Sequence, residues 1–461
     1  MEGDEHAMTT VVRLDRLEEL VCEALEEGRL EDVRALLARH HPADVADVID
    51  RLDDDEQARV FVLLAPEQAA HVLSETDLAA TRALVRSLDP AATAMLFEQM
   101  ETDDIVEILG EDIPEAQLEI LRALPSAEAQ EVKRMLAYPA RSAGRLMTEA
   151  FVAVRAELTE AEALAALRRA SSHVEALSDL FVLDGDGRLT GVVSLRALLG
   201  APPAQRLDVI MTSPLAQVTP ETDQEEVARL VSQYDLLAIP VVEEGGRMLG
   251  IVTVDDVVDV LVQEGSEDVL RLGAVQEGGT DESYFTTPIW RTISRRVGWL
   301  MILFLTGTIT VNVLGWFEEA LTEVVALSFF IPLLIGTGGN TGAQTVSTMV
   351  RSLAVGEIRP HDVWSVVGRE LLSGLLLGLM LGVIAFGLAL ILGNGPDLGL
   401  VVGLAVVVIC TWANTIGAVV PLLAYRLRLD PALVSAPLIT TLVDATGLAI
   451  YLLIAQFILG L

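Results

Sequence analysis

No lysine follows Lys133 in this 461-residue chain. A P-loop is therefore excluded for every glycine-rich stretch beyond it, because no Gly-Lys-Ser/Thr is available to hold phosphates. Only two cysteines occur, Cys22 and Cys410, in different halves of the chain; they form no disulfide framework, which fits a reducing compartment for the front half. The opening MEGDEHAMTT lacks both the basic start and the apolar run of a cleavable signal, so the front half is expected to stay cytoplasmic. Basic residues are scarce, with 31 Lys and Arg against 67 Asp and Glu and a formal charge of -36. Neutralising phosphates needs the opposite balance, which excludes nucleic acid as a partner and leaves cations or basic surfaces.

The scarcity is uneven. From Ile289 onward there are 8 Arg and 9 acids, a net of -1, so residues 1–288 hold a net of -35. Hydrophobic residues make up 52% of the chain, and they concentrate where the acid does not. An acidic soluble half and a neutral membrane half follow.

In residues 29–125, Pro42, Pro66, Pro90 and Pro114 stand 24 apart, with the polar breaks DDDE, ETD and ETDD about midway between them. Each interval is read as one short amphipathic helix with Pro in its first turn. Helices too short to bury a face alone stack as a superhelical solenoid. Residues 147–264 contain a second repeat: MTEAFVAVRAELTEAEAL aligns with MTSPLAQVTPETDQEEVA at an offset of 64, and FVLDGDGRLTGVVSLRALL with PVVEEGGRMLGIVTVDDVV at 59. Each copy reads as strand, helix, strand pair and closing helix. This resembles a tandem pair of CBS domains, whose pattern G-h-h-[ST]-x-x-D closes a nucleotide cleft. The second copy has Gly250, Thr253 and Asp256; the first has Gly191 and Ser194 but Ala197 at the acidic position, which counts against adenine nucleotide in that cleft.

VLVQEGSEDVLRLGAV then leads towards the membrane as a connector that Gly265 and Gly273 weaken. Five apolar stretches follow, at about 295–317, 321–349, 371–393, 398–424 and 432–460, each near the roughly 20 residues a spanning helix needs. Arg291, Arg295 and Arg296 precede the first. Arg351, Arg359 and Arg369 lie between the second and third, and Arg426 and Arg428 between the fourth and fifth. The positive-inside rule puts the N-terminus in the cytoplasm and the C-terminus outside.

The second stretch contains FFIPLLIGTGGNTGAQTVSTMV, where Pro332 and four glycines are expected to interrupt the helix at membrane depth. Such a break lines a cavity or, alternatively, marks close packing through small residues. Asn340, Thr341, Gln344 and Thr345 cluster beside it. The fifth stretch holds one carboxylate, Asp444, flanked by Thr440, Thr441 and Gly447. A carboxylate in mid-membrane costs on the order of 2.5–3.5 kcal/mol, and no cationic side chain lies at the centre of any span to pair with it. A protonated acid, a hydrogen-bonded acid and a cation site remain open. The histidines, His40, His41 and His361 among them, show no metal-ligand spacing.

Solenoid, repeat pair, connector and five spans, with PLLIGTGGNTGAQ and DPALVSAPLITTLVDATG, resemble the MgtE family of magnesium channels over nearly the whole chain. The resemblance implies a multidomain architecture: an all-α superhelical solenoid over 10–138, an α+β tandem CBS pair over 139–264, a connecting helix over 265–288 and a five-helix α transmembrane pore domain over 289–461. It implies a homodimer in the inner or plasma membrane, in contact with membrane lipid, with a pore on the two-fold axis lined by the second and fifth spans. Asn340, Ala436, Thr440 and Thr441 would line it, and Asp444 would face its symmetry mate across a largely hydrated Mg2+. The family often has Asn where Ala436 stands. Regulatory Mg2+ would be held by Asp103 and Glu107 of the solenoid, by Asp223, Glu225, Asp235 and Asp256 of the second repeat copy, and by Glu267 and Asp268 of the connector. His71 occupies a place where the family has an acid. The reading is a magnesium-gated magnesium channel, not an enzyme. Two other classes compete with it: a membrane-anchored sensor whose repeat pair binds ATP, and a proton-coupled exporter of divalent cations.

Overall fold

The computed structural model describes residues 16–110, 114–170, 178–276, 287–359, 361–427, 429–431 and 434–461. The chain divides into two compact units at Glu264, with Gly265–Thr280 joining Pro288–Leu461 in the second.

In the first unit, α1 (residues 16–26) and α2 (Leu30–Leu37) precede a regular array. Pro42, Pro66, Pro90 and Pro114 each open a helix: α3 (Pro42–Arg51), α5 (Pro66–Glu75), α7 (Pro90–Phe97) and α9 (Pro114–Ala123). At the first helical position proline forfeits no hydrogen bond and arrives with its φ preset. One helix per interval is too few. The polar breaks start a second set, namely α4 (Asp54–Phe61), α6 (Leu78–Ser87), α8 (Thr102–Leu109) and α10 (Ser126–Leu136). The Oδ1 of Asp53 accepts the N–H of Glu56 at 2.9 Å, so the break DDDE caps a helix rather than merely ending one. From α3 to α10, each helix packs mainly on the next but one, odd on odd and even on even. Helices of 8–11 residues are marginal alone; here Val48, Ile49, Val72, Leu73, Phe97, Val106 and Leu109 are sealed between the layers.

After α11 (Ala143–Leu146) come the two repeat copies. The first has β1 (Ala153–Val154), α12 (Glu160–Ala170), β2 (Asp179–Leu183), β3 (Leu189–Ser194), α13 (Leu195–Gly200) and α14 (Leu207–Ile210); the second has α15 (Gln224–Tyr234), β4 (Ala238–Val242) and β5 (Met248–Thr253). β1 runs parallel to β2, and β2–β3 and β4–β5 are antiparallel. The offsets of 64 and 59 become a pseudo-two-fold: Thr148 pairs with Ile251, and Thr212 pairs with Val192. Gly191 and Gly250 permit this, since a Cβ on Gly191 would stand 2.9 Å from the Met211 sulfur and one on Gly250 2.6 Å from the Thr148 carbonyl oxygen. α16 (Val254–Leu272) then runs through Gly265 as one helix and stops before Gly273. Residues 277–286 of the connector lie outside the described residues.

The second unit holds α17 (Ile289–Trp316), the short α18 (Glu318–Glu323), α19 (Ala326–Ala354), α20 (Val363–Ile391), α21 (Pro396–Arg426) and α22 (Ala436–Leu459). Among the described residues, α17, α20, α21 and α22 are both long and apolar enough to cross a membrane; α19 matches their length at 29 residues but falls short in apolarity. The expected break in α19 is absent. The helix continues past Pro332 and the glycines, because Gly338 and Gly342 are contact points: a Cβ on Gly338 would lie 2.6 Å from Ile409, and one on Gly342 3.0 Å from Ile439. The small-residue packing alternative therefore describes this stretch. α20 and α21 use the same device more fully, with Gly374, Gly378 and Gly382 each under 3 Å from α21 backbone oxygens by the same measure.

Candidate functional site

Two carboxylate sites stand out. In the second unit, α22 lies along α19 so closely that a Cβ on Gly339 would be 3.3 Å from Asp444 Oδ1 and 3.5 Å from Thr440 Cβ. Glycine is what lets the carboxylate sit against the neighbouring helix. Asp444 is half-buried, and among the described residues no hydrogen bond or ion pair holds its carboxylate. Thr440 and Thr441 turn their hydroxyls back onto the Pro437 carbonyl, at 2.9 and 2.8 Å, so they leave Asp444 alone. The polar cluster of α19 splits: Thr341 and Thr345 are buried, whereas Asn340 and Gln344 are exposed, together with Ser347 and Thr348. Exposed polar side chains along a spanning helix demand water, an ion or another protein surface rather than lipid. Ala436 opens α22, one residue after a fully buried Ser435. A further polar pair, Asn414 Nδ2 donating to Glu370 Oε2 at 3.2 Å, ties α21 to α20 and was not visible in the sequence.

In the first unit, acids on α8 meet the start of α16. Asp104 carries a pKa pushed up to about 7, first by burial and then by Glu101, Glu107 and Asp256, with a Ser74 hydrogen bond opposing. Asp256 is likewise raised to about 7 by burial, against a hydrogen bond from Thr253 Oγ1 at 2.5 Å and with Asp255 and Glu101 adding repulsion. Glu101 is raised by burial and by Asp255, while His71 beside it acts in the opposite direction. Burial, Glu75 and Asp255 raise Asp259. Crowded, desolvated carboxylates that titrate near neutrality mark a place where positive charge is wanted. Among the described residues no three His, Cys, Asp or Glu side chains stand at metal-ligand spacing.

The expected cytosolic ligands fare unevenly. Glu107 and Asp256 belong to this crowd. Asp103 is buried in the first turn of α8, where its Oδ1 accepts the N–H of Asp104 at 3.1 Å. The neighbour that faces the other acids, Asp104, was missed, although Glu101, Asp104 and Glu107 at three-residue spacing share a helix face. Asp223 caps α15, accepting the N–H of Glu225 at 2.9 Å, and Asp235 sits at the far end of that helix in a left-handed conformation, φ 51°. Eleven residues of helix span about 16 Å, so Asp223 and Glu225 cannot share one ion with Asp235. Glu267, buried on α16, pairs with Arg271, and Asp268 is half-buried next to it.

Comparison with known proteins gives this arrangement a family. Residues 331–454 match the MgtE family of divalent cation transporters, 40–141 the MgtE intracellular N domain, and 143–203 and 207–263 the CBS domain. The magnesium transporter MgtE of Thermus thermophilus is 40% identical over 95% of this chain and 97% of its own length. This chain belongs to the MgtE family. The MgtE of Bacillus subtilis is 31% identical over 94% of the chain and 95% of its own length. Among solved structures, the cytosolic domain of the Mg2+ channel MgtE in complex with ATP is similar, at 38% identity and a TM-score of 0.50, over 53% of this chain and 99% of that one. As in MgtE transporters generally, this chain joins helical cytosolic and CBS regions to a multi-pass membrane region.

Proposed function

We propose that the chain is a homodimeric magnesium channel of the inner or plasma membrane, closed by Mg2+ binding to its acidic cytosolic unit. The observation that carries this reading is the unpaired, half-buried Asp444 on α22, beside a polar face of α19 that the single chain leaves exposed. A second copy would cover that face and bring two Asp444 carboxylates together. Mg2+ parts with its water reluctantly and is typically held by one or two carboxylates through that water, so the pair would hold a hydrated ion loosely enough to release it. Sequence and family name favour magnesium as cargo, since the relatives are named magnesium transporters.

Gating follows from the acid crowd. Without a divalent ion, Asp104, Glu107, Asp255 and Asp256 repel one another; with one, they attract through it. The ion's differential affinity for the compact arrangement closes the channel. ATP has no step here. In the cleft between the repeat copies, lined by Asp179, Phe181, Ser194, Ala197, Thr212 and Pro240, the position that would take a ribose hydroxyl is Ala197, which has no polar side chain to offer it. The residues present do not fit that nucleotide there.

The test is Mg2+ flux into proteoliposomes. Wild type should follow an imposed voltage, and Asp444→Ala should abolish flux while still folding and dimerising. Undiminished flux in Asp444→Ala would sink the reading. Flux driven by a pH gradient and indifferent to voltage would replace it with proton-coupled exchange.

A further inference from the structure

At its end, α16 packs against the membrane-spanning helices and the loop before α22. Arg271, in the last turn, pairs with Glu267 four residues earlier and with Asp430 in the loop between α21 and α22. Glu267 is 1% exposed, Arg271 24% and Asp430 34%. The next residue, Leu272, packs on a cluster made by Val346 and Val350 of α19, Ala424 of α21, and Ile439 and Val443 of α22. Four residues on, the Gln276 N–H donates to the Arg295 carbonyl of α17 at 3.0 Å. The end of the connector is thus fixed to the helix that bears Asp444 by an apolar key and an ionic latch.

We propose that Arg271 is a positioning residue for gating, a permanent internal cation that docks the connector on the loop before α22 through Glu267 and Asp430. The proposal rests on the magnesium-gated reading. A guanidinium can serve two carboxylates at once in a fixed plane, and a carboxylate as buried as Glu267 needs a positive partner. With Arg271 in place, one of the two negative charges at this joint is balanced without a divalent ion. Glu267 is thus an arginine partner in the docked arrangement, and the Asp104–Asp256 crowd is a separate place for magnesium to act. Removing the guanidinium takes away the cation that joins Glu267 to Asp430, and docking then depends more on the ion.

Two measurements on the full-length protein decide it. In the proteoliposome assay, Arg271→Gln should raise the internal Mg2+ concentration for half-closure by about tenfold, within the usual range of coupling between sites. Its flux without internal Mg2+ should match wild type, which shows that the variant is folded. The exchange Arg271→Asp with Asp430→Arg should bring the threshold back towards wild type. Independently, in a background of Cys22→Ser and Cys410→Ala, a thiol reagent should label Leu272→Cys faster once Arg271→Gln is added. Unchanged labelling overturns the latch, and faster labelling with an unmoved threshold overturns its part in gating. If wild type never closes with internal Mg2+, the gating reading falls while the labelling still decides whether the latch exists.

Discussion

The two carboxylate sites answer to opposite rules. The cytosolic unit has acid in excess, and its functional candidates are those pushed together: Asp104 and Asp256 each titrate near 7 because burial and neighbouring acids work against ionisation. The spanning unit is nearly neutral, and its candidate is conspicuous for isolation, with no cation, hydrogen bond or second acid beside it among the described residues. A crowd of carboxylates can report the concentration of a cation, because binding relieves repulsion by an amount that depends on how many acids are close. A lone one can only pass the cation on. The first site should therefore set when ions flow and the second whether they flow at all.

Substitution should separate these roles cleanly. The largest effect belongs to Asp444→Asn, which keeps the shape and removes the charge: flux should fall as in Asp444→Ala, while Mg2+ binding to the cytosolic unit, followed by calorimetry on the whole protein, stays as in wild type. The double variant Asp104→Asn, Asp256→Asn should do the reverse, keeping full flux without internal Mg2+ and raising the half-closing concentration by about tenfold or more. A change in maximal flux in that variant, with the threshold unmoved, would erase the distinction between the sites.

The sequence shows its periodic features readily because their physics is local. Prolines 24 apart preset four helix starts, and offsets of 64 and 59 reappear as the cross-pairing of Thr148 with Ile251 and Thr212 with Val192. It also exposed Asp444, since a single charge in an apolar run needs no partner to be seen. What it hid depends on side-chain direction. Asp104 lies beside the expected Asp103 in sequence, yet only the fold shows that Glu101, Glu107 and Asp256 come close enough to raise its pKa. The second helix in each solenoid interval was masked because DDDE and ETDD read equally well as stops and as caps. The glycines of α19 look like a break in one dimension and prove to be contacts once Ile409, Ile439 and Val443 are opposite them.

A smaller effect with a definite sign concerns pH. Asp104 and Asp256 have folded-state pKa values of about 7, against about 3.9 for an unperturbed Asp. Groups raised in this way favour the fold when protonated, so their contribution is fully present below the unfolded value and is lost as pH climbs through the folded one. In EDTA, the cytosolic unit of the full-length protein should melt about 10 °C lower at pH 8 than at pH 5.5, since each of the two acids loses about 2 kcal/mol over that range at 2–4 °C per kcal/mol for this size. Saturating Mg2+ should flatten that slope, and its addition at pH 7 should release about one proton, since a metal binds the ionised form. No proton release together with a flat slope in EDTA would mean that the two acids are neither crowded nor ion-binding.

The smallest and most local effect concerns the glycines of α19. An added methyl on Gly338 would press on Ile409 at 2.6 Å and on Val443 at 3.0 Å, whereas one on Gly339 would stand 3.3 Å from Asp444 Oδ1. Overpacking costs about 1–3 kcal/mol, so Gly338→Ala should lower the melting temperature and leave conduction per folded molecule intact. Gly339→Ala presses only on the end of the Asp444 side chain, makes ordinary contact with Thr440 and gains about 1 kcal/mol of helix propensity, so its stability should barely move. Its methyl, however, displaces Asp444 by a few tenths of an ångström, and flux should drop by about threefold to tenfold, as small misplacements of a binding group do. If the two variants behave alike, Asp444 tolerates displacement and its position against α19 has no bearing on how the ion is held.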